Sequence, residues 1–291
     1  MKNLRTRWAG PVLIFCLFSF STCSKRPASR TIFDVHLHGS GNPESQIDEL
    51  SRSGVYKVAV STSWDLQQQY MNTTGVTVYR GLMLPCPEGR VPYSQQLCFA
   101  SGEEWPAPEW VEQQIIDGTI DFLGEVLAQY HGISASDTML FPYYRLAAKY
   151  SLPVGIHTGS AGPDHGCPNF REELGNPVLL RNALTVFPQL KVWLMHAGGP
   201  FLNETIDIMQ KHPHVYLDIS VINNPDILPP PLFEETMEKL IASGLEDRIL
   251  FGSDNADVST VVQSLENIPF LTDEQKAKIF FRNAETFFAT N

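Results

Sequence analysis

Eight short runs of β-branched and apolar residues, each separated from the next by enough chain for a helix, constrain the fold more than any other feature. Most of the runs are continuously apolar, which is typical of parallel strands buried on both faces. The predicted strands are 31–38, 55–62, 77–84, 119–126, 153–158, 191–196, 215–220 and 248–253. The chain is therefore expected to form a parallel sheet with helices packed outside it.

Helical patterns fill most of the intervals between these strands. Apolar residues at three- and four-residue spacing mark several of them, and Gly244 is the kind of residue that commonly ends a helix. The predicted helices are 43–53, 108–117, 140–150, 176–187, 201–212, 233–243, 258–266 and 273–288. Repeated strand and helix predict one α/β domain over residues 31–291, a (β/α)8 TIM barrel, with a seven-stranded or distorted barrel as the alternative.

Two connections are longer than ordinary loops, residues 85–106 after the third strand and 159–175 after the fifth. Both follow the carboxyl ends of strands, where the active sites of such barrels are built, and long loops there commonly form lids or substrate walls. The first loop contains Cys86 and Cys98, for which a disulfide and two buried thiols are both open. Cys167 in the second loop would stay unpaired.

The composition excludes several classes of protein. With 43% hydrophobic and 18% charged residues among 291, the chain is expected to be globular and not disordered. Its formal charge of −11 argues against nucleic acid as a partner, because phosphate contacts require clustered Lys and Arg. The expected partner is a small-molecule substrate, and the oligomeric state stays open.

The start of the chain has the pattern of an export signal. Basic residues precede an almost wholly apolar stretch, 8–20, and small residues follow it. Residues 20–23, Phe-Ser-Thr-Cys, resemble a bacterial lipobox, in which the cysteine is lipidated after cleavage. We therefore predict a signal peptide over 1–22, lipidation of Cys23, a tether over 23–30 and a location in the bacterial cell envelope facing the periplasm. The lipid would be the membrane contact; a soluble exported protein and an uncleaved anchor are the alternatives.

Histidines and carboxylates stand at the carboxyl ends of several predicted strands. His36 and His38 end the first strand, and residues two apart in a strand point to the same face. The other strand-end candidates are Glu125, His157, His196 and Asp254. Imidazole and carboxylate donors suit zinc and other first-row divalent ions. These side chains predict a metal site at one rim of the barrel, with Asp34 supporting it from behind.

Three further polar residues in the connections are candidates for contact with substrate. His131 and His165 lie in connections that follow strand carboxyl ends, and a solvated loop histidine is the alternative for both. Arg171 is a candidate for holding an anionic substrate group. All three are expected near the rim that holds the metal-type donors.

Together these residues resemble the amidohydrolase superfamily, and within it the amidohydrolase-related branch of TIM-barrel metal-dependent hydrolases. The resemblance spans residues 31 to 288 and rests on the segments that contain the strand-end donors. These segments are Asp34-Val35-His36-Leu37-His38, Glu125, His157, His196-Ala197-Gly198-Gly199 and Gly252-Ser253-Asp254, and Tyr216-Leu217-Asp218-Ile219-Ser220 and 278–284 are similar to the same branch.

The resemblance implies a cofactor of one or two divalent ions per chain, with zinc expected. His36, His38 and Asp254 would bind the more buried ion. His157 and His196 would bind a second ion, or His157 alone would assist the first. Glu125 matches a strand-four position where members carry a bridging Glu or a carboxylated Lys, which favours two metals.

The implied function is that of a metal-dependent hydrolase acting on a small amide, ester, lactone or phosphoester. Divalent metal lowers the pKa of bound water, and Asp254 would accept the water's proton and pass it to the leaving group. A non-oxidative decarboxylase with one metal, in which Glu125 is idle, is the first alternative. A non-catalytic metal-binding protein of the cell envelope is the second.

Overall fold

The computed structural model describes residues 31–160 and 162–289. The predicted signal peptide (1–22), the tether (23–30) and the predicted lipidation site Cys23 lie outside these residues. Within the described ranges, each helix is too short or too polar to pass through a lipid bilayer.

Eight parallel strands pair in chain order, which confirms the predicted TIM barrel. They are β1 (Ile32–His38), β2 (Val55–Thr62), β3 (Thr77–Leu84), β4 (Phe122–Val126), β5 (Val154–Ile156), β6 (Val192–Leu194), β7 (Val215–Asp218) and β8 (Ile249–Leu250). Backbone hydrogen bonds join β1 to the segment after β8. The Val35 N–H donates to the Phe251 carbonyl at 2.9 Å, and the Asp254 N–H donates to the His36 carbonyl at 2.8 Å.

The first three strands follow the predicted bounds closely, whereas the last five are shorter than predicted. At the start of β4 the reason is a helix end: the Thr119 hydroxyl donates to the Gln114 carbonyl at 3.0 Å and so holds Thr119 against the last turn of the preceding helix. After the carboxyl end of β6 the backbone leaves the extended conformation. His196 has φ 61°, a value in the left-handed region that ends a strand.

Helices lie between the strands and after the last one. They are α1 (Pro43–Arg52), α2 (Trp64–Gln69), α3 (Pro108–Ile116), α4 (Ala128–His131), α5 (Phe141–Tyr150), α6 (Arg181–Val186), α7 (Leu202–Lys211), α8 (Pro230–Ala242), α9 (Val258–Glu266), α10 (Asp273–Ala277) and α11 (Asn283–Phe288). The short helices α2 and α4 are additions to the predicted set. Helix α8 begins at Pro230 and not at residue 233, because proline is tolerated in the first turn of a helix.

Two predicted helices are less regular than expected. The predicted helix 176–187 begins as a 3₁₀ turn, Pro177–Leu180, before α6. The predicted helix 273–288 contains a π-helical turn, Lys278–Arg282, between α10 and α11.

Aromatic side chains fill the amino-terminal half of the barrel. Phe33 of β1, Phe122 of β4 and Trp193 of β6 are fully buried. The centroids of the Phe122 and Trp193 rings are 5.4 Å apart, and those of the Phe33 and Phe288 rings are 5.1 Å apart. Side chains from strands that are not neighbours meet only inside a barrel. Helix α11 therefore closes this end with Phe288, and the opposite end is left for the site.

The long loop after β3 is cross-linked. Cys86 and Cys98 form a disulfide, which decides between the two alternatives open from the sequence. Cys167, in the loop after β5, is free and partly buried, as expected.

Candidate metal centre

The six predicted donors converge at the carboxyl end of the barrel. The Nε2 atom of His38 lies 2.9 Å from Oδ1 of Asp254, and Nε2 of His36 lies 3.8 Å from the same oxygen. The potential ligand atoms of these three residues all lie within 4.8 Å of one another. One carboxylate from the end of β8 therefore meets two imidazoles from β1.

Glu125 lies between this group and the remaining histidines. Its Oε2 atom is 3.7 Å from Nε2 of His38, and its Oε1 atom is 3.8 Å from Nε2 of His157 and 3.9 Å from Nε2 of His196. The ligand atoms of His36, Glu125 and His196 form a second group within 4.8 Å. The side chain of Glu125 is 2% exposed, so its carboxylate is almost completely buried within the cluster.

Two of the predicted metal ligands have a backbone conformation that is unfavourable for any residue other than glycine. His196 and Asp254 both have positive φ, which costs on the order of 1–3 kcal/mol per residue and persists only where surrounding contacts impose it. The contacts are hydrogen bonds. The His196 N–H donates to Oδ1 of Asp218 at 3.0 Å, and the Asp254 N–H donates to the His36 carbonyl at 2.8 Å.

Asp218 and Ser220, at the end of β7, support the histidines from behind. Oδ2 of Asp218 lies 3.0 Å from Nδ1 of His36. The Ser220 Oγ donates to Oδ1 of Asp218 at 2.6 Å and lies 3.0 Å from Nδ1 of both His36 and His196. Neither residue was predicted from the sequence to have a role in the site. The sequence does contain a pattern that could have indicated them: a carboxylate in a buried strand is followed two residues later by a serine. That spacing places both side chains on the same face of the strand.

Asp34 supports the backbone of the site. Its Oδ1 atom accepts the N–H of His36 at 3.1 Å and the N–H of Ser253 at 3.0 Å. It therefore ties β1 to the segment after β8. Burial raises the pKa of Asp34 to about 6, although these hydrogen bonds oppose the shift.

The charges of the site depend on burial and on the neighbouring groups. Burial would lower the pKa of His36, but the carboxylates of Asp218, Asp254 and Glu125 together outweigh it and raise the pKa to about 10. Burial lowers the pKa of His196 to about 4 and raises the pKa of Glu125. Burial also acts to raise the pKa of Asp254, but the imidazoles of His36 and His38 hold it well below its ordinary value.

The residues present fit a divalent cation. Nε2 of His36 and Nδ1 of His38 are buried and form no hydrogen bond within the described part of the chain. Because Asp218 lies against Nδ1 of His36, Nε2 is the nitrogen that faces the cluster, where a bound cation would take the place of its proton, as in a carboxylate–histidine–metal arrangement. A set of imidazoles and carboxylates is the donor chemistry that zinc and similar ions take.

A cavity of about 500 Å³ opens above the cluster. The donors His38, Glu125, His157, His196 and Asp254 line its floor. Two tyrosines that were not among the predicted site residues form part of its wall. Tyr93, carried by the loop that contains the disulfide, lies with its ring centroid 4.0 Å from that of His38, and Tyr130 lies 5.1 Å from His157.

The predicted substrate residues are placed differently from one another. His165 lines the cavity, 6.4 Å from Tyr93 between ring centroids. Among the described residues, the cavity lining includes neither His131 nor Arg171. The His131 ring packs at 5.2 Å against Trp105, and Arg171 is exposed on the loop after β5. The positions of His131 and Arg171 therefore do not support a direct contact with a substrate in this cavity.

Comparison with known proteins finds one matching family and many solved structures that share this fold. A model of the amidohydrolase family matches residues 110–290. An uncharacterized TIM-barrel protein from Bordetella bronchiseptica is 17% identical, with a TM-score of 0.67 over 90% of this chain and 99% of that one. A proposed metal-dependent hydrolase from Lactobacillus casei is 18% identical, with a TM-score of 0.60 over 83% and 75%.

A third solved structure with this fold is 2,6-dihydroxybenzoate decarboxylase from Rhizobium, which is 12% identical, with a TM-score of 0.61 over 89% of this chain and 98% of that one. At such identities the likeness shows the fold alone. No curated protein sequence matches the chain.

Proposed function

Because the chain belongs to the amidohydrolase family, whose members are generally metal-dependent enzymes, we propose that it is a hydrolase acting on a small amide, ester, lactone or phosphoester. Hydrolases and decarboxylases both occur on this fold, as the Lactobacillus casei and Rhizobium proteins illustrate. The choice between them therefore rests on the site.

Glu125 is the observation that carries the proposal. Its two oxygens lie 3.7 to 3.9 Å from imidazole nitrogens on three different strand ends, His38, His157 and His196. A buried carboxylate in that place suits a bridge between two ions. His36, His38 and Asp254 would hold one ion, and His157 and His196 would hold the other. A decarboxylase with one ion would leave Glu125 buried without a use, at a considerable cost in free energy.

When bound, divalent metal lowers the pKa of a water molecule and polarises the electrophilic oxygen of the substrate. Asp254 would accept the proton of the attacking water, because its carboxylate is 20% exposed, lines the cavity and lies beside the other donors. The oxygen of water then joins the carbonyl or phosphoryl centre, the bond to the leaving group breaks, and Asp254 returns the proton to that group.

Metal analysis combined with a substrate panel tests the proposal. We expect two ions per chain in protein purified without chelators, together with hydrolysis of at least one amide, ester, lactone or phosphoester. One ion per chain with release of carbon dioxide from an aromatic acid would instead identify a decarboxylase. Metal without any turnover would indicate the non-catalytic alternative.

We also propose that the protein is exported and anchored to the bacterial envelope by a lipid on Cys23. The disulfide between Cys86 and Cys98 supports export, because such bonds persist in oxidising compartments. In cells that express the whole chain, labelled fatty acid should enter the wild type and not Cys23→Ser. Equal labelling, or recovery of the wild type from the cytoplasm, would contradict the proposal.

A further inference from the structure

The cavity above the candidate metal centre has mainly apolar and aromatic walls. Beyond its floor of metal-type donors, the lining includes Pro92, Tyr93, Leu127, Tyr130, Val221 and Ile227. The described residues that line it include neither lysine nor arginine. Burial also lowers the pKa of His165, which favours the neutral form of this imidazole. The walls therefore offer no cation to a substrate group that lies away from the metal-type donors.

A second cavity, of about 450 Å³, adjoins the first. The two share Ser160, His196, Val221 and Ile227 in their linings, so together they form one groove. We call this the apolar groove. It continues along α8 past Leu232 and reaches an ion pair at its outer end. There Nζ of Lys239 lies 2.7 Å from Oε1 of Glu235, and both side chains are more than half exposed.

The apolar groove leaves large aliphatic side chains uncovered. Ile227 is 59% exposed and Leu232 is 49% exposed. A hydrocarbon chain along the groove would remove this surface from water, which is favourable at roughly 25 cal/mol per Å². A carboxylate beside these two side chains would lose its hydration, and the cation farther along the groove, Lys239, is already paired with Glu235, so the exchange is unfavourable.

We propose that the substrate is a neutral carboxylic ester or amide whose apolar acyl chain lies in the apolar groove. This inference rests on the proposed function. The carbonyl carbon would lie at the donor cluster, where water adds its oxygen, the carbon–oxygen or carbon–nitrogen bond breaks, and the leaving alcohol or amine takes the proton. The products are a carboxylic acid and an alcohol or amine.

A matched pair of esters tests the charge preference. 4-Nitrophenyl octanoate and 4-nitrophenyl hydrogen suberate have the same eight-carbon acyl chain, and the suberate ends in a carboxylate. For the metal-loaded protein, we expect kcat/KM to be at least tenfold higher for octanoate than for suberate or for 4-nitrophenyl acetate. Rates measured in EDTA are subtracted, so that only metal-dependent hydrolysis is compared. Equal rates, or preference for suberate, would overturn the inference.

A pair of variants locates the preference in the groove. Ile227→Lys places a cation where the two cavities meet, and we expect it to lower the octanoate-to-suberate ratio at least tenfold. Ile116→Lys is the matched control, because Ile116 is 61% exposed on α3 and lines neither cavity. It should leave the ratio unchanged. An unchanged ratio in Ile227→Lys would also overturn the inference.

Ligands without a hydrolysable bond separate this inference from the proposed function. Octan-1-ol and 8-hydroxyoctanoate differ only by a terminal carboxylate, and calorimetry measures their binding without turnover. Tighter binding of octan-1-ol by tenfold or more, with no ester hydrolysed, would support the groove and refute the hydrolase. Ester hydrolysis with equal binding of both ligands would support the hydrolase and refute the groove.

Discussion

Single residues at the site divide into those that face the cavity and those that hold the others in place. Asp218 is of the second kind, since it is fully buried and contacts Nδ1 of His36 and the N–H of His196. A carboxylate in this position sets which imidazole nitrogen carries the proton and leaves Nε2 as the donor atom.

Replacing Asp218 should therefore weaken metal binding. We expect Asp218→Asn to lower the affinity for zinc by about 10–100-fold, because loss of such a partner commonly has that effect. Competition with a chromogenic chelator measures the affinity. Asp207→Asn, at an exposed aspartate on α7, is the control and should bind zinc as the wild type does. Wild-type affinity in Asp218→Asn would rule out this role.

Asp254 is a residue of the first kind, and its prediction concerns turnover. We expect Asp254→Asn to reduce metal-dependent hydrolysis by at least about 100-fold, because an amide does not accept the proton that the carboxylate takes. The far-UV circular dichroism spectrum should be unchanged, since the Asp254 N–H bond to the His36 carbonyl is made by the backbone. Full turnover in this variant would refute the assignment.

Between strands, the packing inside the barrel is so close that one added methyl group would overlap its neighbours. A Cβ atom at Gly155 of β5 would lie 2.4 Å from the Trp193 ring and 2.6 Å from the Met195 side chain. Gly155→Ala is therefore expected to lower the free energy of unfolding by about 1–3 kcal/mol. Urea denaturation measures the change. Gly41→Ala, where a Cβ would meet nothing within 4 Å, should be much closer to the wild type.

The disulfide stabilises the loop after β3, which places Tyr93 over His38. Cys86 and Cys98 are 12 residues apart, and for a closed loop of that length the unfolded-state entropy corresponds to about 3 kcal/mol. The double variant Cys86→Ser/Cys98→Ser should lose roughly that much stability in a denaturant titration under oxidising conditions. Cys167→Ser, which removes a free thiol, is the control. Equal stability of the two variants would contradict the prediction.

For the whole molecule, metal binding should couple to folding, because the donors come from strand ends far apart in sequence and meet only in the folded barrel. We expect dialysis against EDTA to lower Tm and added zinc to restore it. Zinc at 1,000 times its Kd would add about 4 kcal/mol to the free energy of unfolding. Differential scanning calorimetry measures the shift. His36→Ala should not respond to zinc, and an EDTA-insensitive wild type would contradict the coupling.

The barrel could be predicted from the sequence because its signals are local. Continuous apolar runs, helix-start residues and strand-end histidines are each contained in a few neighbouring residues. The errors arose where local pattern and long-range contact compete. Residues 251–253 have the composition of a strand, but pairing with β7 stops at Leu250, and the Phe251 carbonyl instead accepts the N–H of Val35 in β1.

By itself the sequence determined the order of strands and helices and the chemical types of the donors, since both follow from periodicity and from residues at strand ends. The tertiary structure alone decided which groups meet. His36 and Asp218 are 182 positions apart, and only closure of the barrel places their side chains 3.0 Å from each other. The Cys86–Cys98 bond and the joining of two cavities into the apolar groove were decided in the same way, because each depends on distances that no local pattern specifies.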